Sequence, residues 1–145
     1  ANNERGLSLR SPGRFLATTD RLVRLWRERS GDLDARERGA AGDRVVDAWI
    51  GSRAYELSTW GTVTTLNSGG QLGSESSINK VFWSEWDIAT HQTALDLLGP
   101  EGERADEKWQ DGYLFALAGP IYAGTNEIQK NVIAERLLGL PRGNR

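Results

Sequence analysis

The chain has 145 residues, a net charge of −2 with both signs interspersed, and no cysteine. This length suits one domain, the charge gives no attraction to nucleic acid, and the lack of cysteine excludes disulfides and thiolate chemistry. No run approaches the roughly 18 apolar residues of a membrane span, and a lone histidine cannot form a metal site. We therefore expect a cytoplasmic protein without a metal.

The first predicted helix begins at Ser11-Pro12, because proline is favoured in the first helical turn. An extension through residues 2–10 is compatible with this pattern. The polar segment 31–42 is predicted to be a connection, compatible with a short helical turn, and the second helix is expected from Asp43 to Leu66. The predicted inner face of that second helix comprises Val46, Ile50, Ala54, Leu57, Gly61 and Thr64.

The third predicted helix starts at Ser74 and is stopped by Gly99-Pro100. Its expected buried stripe comprises Ile78, Val81, Phe82, Trp86, Ala89, Thr93 and Leu97. A shorter helix from Glu107 to Ala118 is broken by Gly119-Pro120, and a last helix runs from Asn126 to Leu138. The sequence therefore predicts an all-α fold, an antiparallel four-helix bundle with a broken fourth helix.

A glycine-bearing loop leads directly into the last predicted helix. Gly124 supplies backbone freedom that a side chain would forbid. Thr125 is a good N-cap, and Glu127 places negative charge in the first helical turn. Free amides at such a turn can bind an anion or a polar cofactor group. We interpret this loop as a candidate ligand site.

Residues 122–141 resemble the C-terminal signature of the flavin-dependent acyl-CoA dehydrogenases. Two shorter matches fall in the expected order: Glu4-Arg5 resembles a pair that opens the family's C-terminal domain, and segments 76–82 and 95–102 resemble motifs of one bacterial branch. The resemblance covers residues 1–145. It implies the C-terminal helical bundle of a longer chain, with an N-terminal helical domain and a middle β-domain outside this sequence.

The same resemblance implies α,β-dehydrogenation of an acyl-CoA thioester, with FAD as cofactor and electron-transferring flavoprotein or a similar protein as electron acceptor. In many members the base is a glutamate directly before the Gly-Thr pair, where this chain has Ala123. In other branches the base lies in the opening helix, which implies Glu4 here, with Arg5 beside it to hold substrate. The alternative from residue type alone is a solvated helix-start pair.

The resemblance also implies roles for the loop. The Ala123 backbone N–H would donate to the thioester carbonyl, where it stabilises enolate charge whatever the side chain. Tyr122 and Gly124 would line the substrate site, and Thr125 and Glu127 would contact the flavin cofactor. For the last two, helix capping is the alternative, and both roles are compatible.

Gly99 and Gly102 match a loop that in relatives lies against the FAD of a neighbouring subunit. Asp96 stands there in place of the usual glutamine, and an acidic residue is unfavourable near a pyrophosphate. A plain helix stop at Gly99 is the alternative.

His91 is expected on a helix surface. Five tryptophans are expected to serve in packing or in contacts of a homo- or hetero-oligomer: Trp49, Trp60, Trp83, Trp86 and Trp109. Two other functions stay open: a non-catalytic subunit of a mixed dehydrogenase assembly, and an all-helical interaction module without enzymatic activity.

Overall fold

The computed structural model describes residues 11–104 and 108–142, and within these ranges every regular element is helical. The α-helices are α1 (Pro12–Arg29), α2 (Ala35–Asn67), α3 (Glu75–Leu98), α4 (Lys108–Ala116) and α5 (Asn126–Val132). Short 3₁₀ segments, Ser30–Asp32 and Gly99–Glu103, follow α1 and α3, and a π-helical turn, Ile133–Leu137, continues α5. The all-α prediction is confirmed. Glu4 and Arg5 lie outside the described residues.

Helix α3 is the centre of the bundle. It contacts α1, α2, α4 and α5, while α1 and α2 also pack against each other. The larger apolar core comprises Leu22, Leu25, Ala41, Val45, Ala48, Ala94, Leu97, Leu98 and Trp109. A second, aromatic core comprises Phe15, Tyr55 and Trp83, with the rings of Phe15 and Tyr55 edge-to-face at 5.0 Å. None of the described helices is both long and apolar enough to cross a bilayer.

Helix α2 begins at Ala35, eight residues before the predicted start at Asp43. The prediction of a connection is therefore wrong for residues 35–42, and it holds only for residues 31–34, where the short helical turn is the 3₁₀ segment Ser30–Asp32. The Asp34 carboxylate accepts the N–H of Arg36 and of Glu37, each at 2.8 Å. The Glu37 carboxylate in turn accepts the Asp34 N–H at 3.1 Å. These reciprocal hydrogen bonds form a capping box, which fixes the start of the helix. The pattern is visible in the sequence as an acidic cap residue followed three residues later by glutamate.

The inner face predicted for α2 is also wrong. Val46, Ile50 and Leu57 are 55%, 53% and 71% exposed. The buried face comprises Ala41, Val45, Ala48, Gly51, Ser52, Tyr55 and Thr59. Small residues let α2 approach its neighbours closely, and the edge of the Trp86 indole lies directly against Gly51. Both faces of α2 carry apolar residues, so periodicity alone selects the wrong one.

The predicted stripe of α3 is confirmed only at Thr93 and Leu97, with Val81 and Trp86 half-buried. Ile78 and Phe82 are exposed. The buried positions are largely polar: Ser77, Lys80, Trp83, Ser84, Asp87, Thr90, His91, Thr93, Ala94, Leu97 and Leu98. A period computed from apolar residues cannot find a face whose interior side chains are hydrogen-bonded polar groups.

Most predicted helix ends are confirmed. Helix α3 begins after Ser74 and ends at Gly99, which has a left-handed φ of 56°. Helix α4 ends at Ala116, two residues before the predicted position. Gly119 and Pro120 lie in a non-helical turn, as predicted. The regular α-helix α5 ends earlier than predicted, at Val132, where the π-helical turn takes over.

Candidate functional site

The loop between α4 and α5 contains two successive residues with left-handed backbones, Ala123 with φ 55° and Gly124 with φ 86°. This conformation costs a residue with a side chain about 1–2 kcal/mol, so the surroundings must hold Ala123 in it. At Gly124 a Cβ would also lie 2.5 Å from the side-chain nitrogen of Gln129. The predicted need for glycine at position 124 is therefore confirmed.

Three hydrogen bonds hold this loop against the start of α5. The Asn126 N–H donates to the Pro120 carbonyl at 2.9 Å and closes the loop. The Gln129 side-chain amide donates to the Ala123 carbonyl at 3.2 Å. Thr125 is the N-cap, as predicted, and its hydroxyl accepts the N–H of Ile128 at 3.4 Å.

The loop is anchored from below by a buried polar contact. Lys80 and Asn126 are both buried, and each residue is only 2% exposed. The Lys80 ammonium donates to Asn126 Oδ1 at 2.7 Å, and the Ser84 hydroxyl approaches the same oxygen at 3.1 Å. Sequence reasoning missed this anchor. The available signal was that Lys80 and Ser84 are four residues apart, on one face of α3, within and beside the 76–82 motif.

Charged groups surround the anchor. Glu85 Oε1 accepts from the Asn126 amide at 3.3 Å and from the exposed Lys130 ammonium at 2.9 Å. Burial lowers the pKa of Lys80, while Glu127 and Glu85 act in the opposite direction. The pKa of Glu127 lies below its usual range because the carboxylate accepts hydrogen bonds from its own N–H and from the Thr125 hydroxyl. Glu127 therefore remains an exposed carboxylate beside the loop.

The loop presents free donors to the exterior. Ala123 and Gly124 are exposed, and no group in the described part of the chain accepts a hydrogen bond from either backbone N–H. Beneath them the half-buried ring of Tyr122 packs against Trp83 at 5.8 Å between centroids. Fixed, unpaired N–H groups can stabilise negative charge on a carbonyl oxygen. The methyl group of Ala123 cannot take up a proton.

Gly99 and Gly102 lie at the opposite end of α3. Fifteen residues of helix separate Ser84 from Gly99, which corresponds to about 22 Å along the axis. A single chain therefore does not bring these glycines to the Ala123 loop. Both have structural roles, since Gly99 ends α3 and Gly102 is buried against Leu95 and Leu98.

The acidic residue beside these glycines is compensated within the chain. Asp96 forms an ion pair with Arg44 and accepts the side-chain amide of Gln92 at 2.9 Å. Its negative charge is thus partly offset. The electrostatic objection to a phosphate near this loop is correspondingly weaker than the sequence suggested.

The expectation of a surface position for His91 is wrong, because the residue is 5% exposed. Its Nδ1 lies 2.8 Å from the Asp87 carbonyl oxygen, which can only accept, so Nδ1 carries the proton. The carboxylate of Asp87, which is buried as well, accepts a hydrogen bond from the Arg14 guanidinium at 2.8 Å. The imidazole of His91 and the Trp109 ring are arranged edge-to-face, with 5.4 Å between their centroids. The contact of His91 with Trp109 joins α3 to α4.

The tryptophans differ in exposure, and Trp26 and Trp86 are half-buried. Trp83 and Trp109 are buried, which confirms packing, whereas Trp49 and Trp60 are exposed on α2. Among the described residues no group of three or more histidine or acidic side chains is arranged to hold a metal ion.

Comparison with known proteins gives a consistent answer. The family described as "Acyl-CoA dehydrogenase, C-terminal domain" matches residues 1–138. Acyl-CoA dehydrogenase IpdE1 of Mycolicibacterium smegmatis is 33% identical over 98% of this chain and 41% of its own length. The protein of the same name from Mycobacterium tuberculosis is 34% identical over 89% of this chain and 36% of its own.

Two solved structures share the fold. The ChsE4–ChsE5 complex from Mycobacterium tuberculosis superposes with a TM-score of 0.72 and 23% identity, over 95% of this chain and 38% of that one. The FAD complex of PigA superposes with a TM-score of 0.71 and 21% identity, over 87% and 34%. This chain thus spans well under half the length of the proteins it matches.

Proposed function

Because the chain belongs to the acyl-CoA dehydrogenase family, as its C-terminal domain, we propose that it is the helical bundle of an FAD-dependent enzyme that oxidises an acyl-CoA thioester to its α,β-unsaturated product. The observation that carries this proposal is the pair of exposed, unpaired N–H groups at Ala123 and Gly124 in a held left-handed loop. The parts of the relatives that this chain does not span would complete the site.

In this proposal the chain's own residues divide the work. The Ala123 N–H donates to the thioester carbonyl oxygen and stabilises the negative charge that develops when the α-proton leaves. Glu4 removes that proton, since Ala123 has no basic side chain. Arg5, Tyr122 and Gly124 hold the thioester in place.

Residues from two subunits would contact the FAD. The exposed carboxylate of Glu127 and the capping residue Thr125 fit a polar contact with the cofactor from one chain. Gly99 and Gly102 would approach it from a neighbour, since about 22 Å of helix separates Gly99 from Ser84, which lies beneath the loop. When bound, the flavin would supply the acceptor for the hydride from the β-carbon, and an electron-transferring flavoprotein or a similar protein would be the electron acceptor.

An assembly of subunits is part of the proposal. The outer face of α2 exposes a run of large apolar side chains: Val46, Trp49, Ile50, Leu57 and Trp60. Contiguous apolar surface of this kind marks a protein interface. We propose that a second copy of the chain covers this face.

The experiment uses the complete protein. We expect flavin absorbance in the purified protein and bleaching of that absorbance by at least one of butyryl-, octanoyl- and palmitoyl-CoA. Glu4→Gln should lower the bleaching rate by about 100-fold or more, within the usual contribution of a general base. Glu28→Gln, on the exposed side of α1, is the control and should behave as wild type. A protein without flavin would contradict the proposal.

A second candidate is the non-catalytic subunit of a mixed assembly. The missing carboxylate at Ala123 favours it. In that case Glu4→Gln would leave the turnover of the assembled complex unchanged. Family membership argues against the third candidate, an interaction module of other ancestry.

A further inference from the structure

Lys80 is a buried cation with an unusual set of neighbours. Among the described residues no carboxylate lies within ion-pair distance of its ammonium, and Glu85 pairs instead with Lys130. Burying a charge without an opposite charge is costly, and an apolar side chain of similar size would fill the same volume at less cost. Its polar contact within the described structure is Asn126 Oδ1, at 2.7 Å.

Ser84 does not replace this contact. Its hydroxyl approaches both the Val81 carbonyl, at 3.0 Å, and Asn126 Oδ1, at 3.1 Å. A hydroxyl has one proton and can donate to only one of these acceptors at a time. The Lys80 ammonium has three protons and no competing acceptor among the described residues, so it can donate to the Asn126 oxygen at all times.

Asn126 connects this buried donor to the loop. Its side chain is held by Lys80, and its backbone N–H closes the loop by donating to the Pro120 carbonyl at 2.9 Å. The left-handed residues Ala123 and Gly124 lie between these two points of the chain. If Asn126 shifts, the loop loses the clamp that keeps Ala123 in a conformation it would otherwise leave.

We propose that Lys80 is a positioning residue, whose ammonium, through Asn126, holds the Ala123 and Gly124 N–H groups in place for the carbonyl oxygen of the substrate. The part concerning substrate rests on the proposed function. The part concerning the loop does not, and the two are tested separately.

The loop is tested by hydrogen–deuterium exchange of the complete protein, with and without added FAD, in peptides that cover residues 121–130. The reporter is the Asn126 N–H, which is buried and bonded to Pro120. Lys80→Met should speed its exchange by about 10-fold or more, since a hydrogen bond to a charged donor is worth a factor of about 10 to 100. Ser84→Ala should change it by less than about threefold.

Lys130→Met is the matched control. Lys130 is also a lysine near Glu85, but its side chain is exposed and it does not contact Asn126. Its exchange pattern over 121–130 should equal that of wild type. Peptides from α1 should be unchanged in every variant, which separates loop loosening from general unfolding. Unchanged exchange at 121–130 in Lys80→Met overturns the proposal, whatever the protein's activity.

The catalytic part is read from kinetics with the acyl-CoA, among butyryl-, octanoyl- and palmitoyl-CoA, that bleaches the wild-type flavin. Lys80→Met should lower kcat by about 10-fold while KM changes by less than about threefold, because the held N–H groups act on charge that develops in the transition state. An equal loss in Lys130→Met, or a loss confined to KM, overturns this part. A protein that binds no flavin overturns the proposed function but leaves the exchange result standing.

Discussion

The contact between Gly51 and Trp86 allows a sharp test of the packing of α2 on α3. A Cβ built at Gly51 would lie 2.5 Å from both Cδ1 and Nε1 of the Trp86 indole. The ring cannot move aside easily, because its N–H donates to the Ala48 carbonyl at 3.1 Å. The indole and the Phe15 ring are also perpendicular, with 5.2 Å between their centroids. We therefore choose Gly51→Ala as the perturbation.

Two opposing effects set the magnitude. Alanine is favoured over glycine within a helix by about 1 kcal/mol. Overpacking of this kind costs about 1–3 kcal/mol, and loss of the hydrogen bond from Trp86 to Ala48 adds about 1 kcal/mol. The clash outweighs the propensity gain, so Gly51→Ala should lower the free energy of unfolding by about 1–3 kcal/mol. For a chain of this size that corresponds to a Tm lower by roughly 4–12 °C.

Gly39→Ala is the matched control on the same helix. Among the residues that the structure describes, none outside the neighbouring helix backbone comes within 4 Å of a Cβ at Gly39, so the propensity gain dominates. It should raise the free energy of unfolding by about 0.5–1 kcal/mol. Urea unfolding followed by tryptophan fluorescence measures both variants. If Gly51→Ala is as stabilising as Gly39→Ala, the indole does not occupy the place described and the account of the α2–α3 contact fails.

Three further outcomes are expected. Leu57→Glu places a charge on the exposed apolar face of α2 and should halve the mass measured by light scattering, whereas an unchanged mass would assign that face to another part of the assembly. Adding Ala123→Glu to the Glu4→Gln protein should restore part of the flavin bleaching, because a carboxylate then returns to the loop; no restoration would place the reacting carbon elsewhere. The pKa of Glu127 is lowered in the fold, so its contribution to stability is present above its ordinary value of 4.5 and is lost as pH falls through the folded value. Urea unfolding of Glu127→Gln should therefore differ from wild type at pH 7 and converge with it in acid, and a difference that persists in acid would contradict this assignment.

Local signals in the sequence predicted the local features of the fold. Proline after Ser11, the glycine at the end of α3 and the N-cap at Thr125 each act through neighbouring backbone groups, and each is confirmed. The start of α2 carries a local signal too, the capping box at Asp34, which the abundance of glycine and charge around it obscured. Local chemistry therefore sets the helix boundaries and the form of the loop.

Which face of a helix is buried depends on partners far away in the sequence. Lys80 meets an asparagine 46 residues later, and Asp87 meets an arginine 73 residues earlier. Helix α2 has two faces with apolar residues, and either could have been buried. The face of small residues is the inner one because the Trp86 indole packs directly against Gly51, where no side chain is in the way. Such pairings require the tertiary structure, because each residue alone is typical of a solvated helix surface.

The polar interior of α3 explains why the candidate site lies where it does. Apolar contacts between helices are non-directional and would tolerate small shifts of one helix along another. Two hydrogen bonds of α3 are directional: Lys80 donates to Asn126 at the start of α5, and Asp87 accepts from Arg14 in α1. They therefore favour one register of the neighbouring helices, at the cost of burying charge. The loop at Ala123 directly precedes Asn126, one of the residues that these hydrogen bonds hold in place. The loss of stability from burying the Lys80 charge is therefore consistent with accurate placement of the loop's N–H groups.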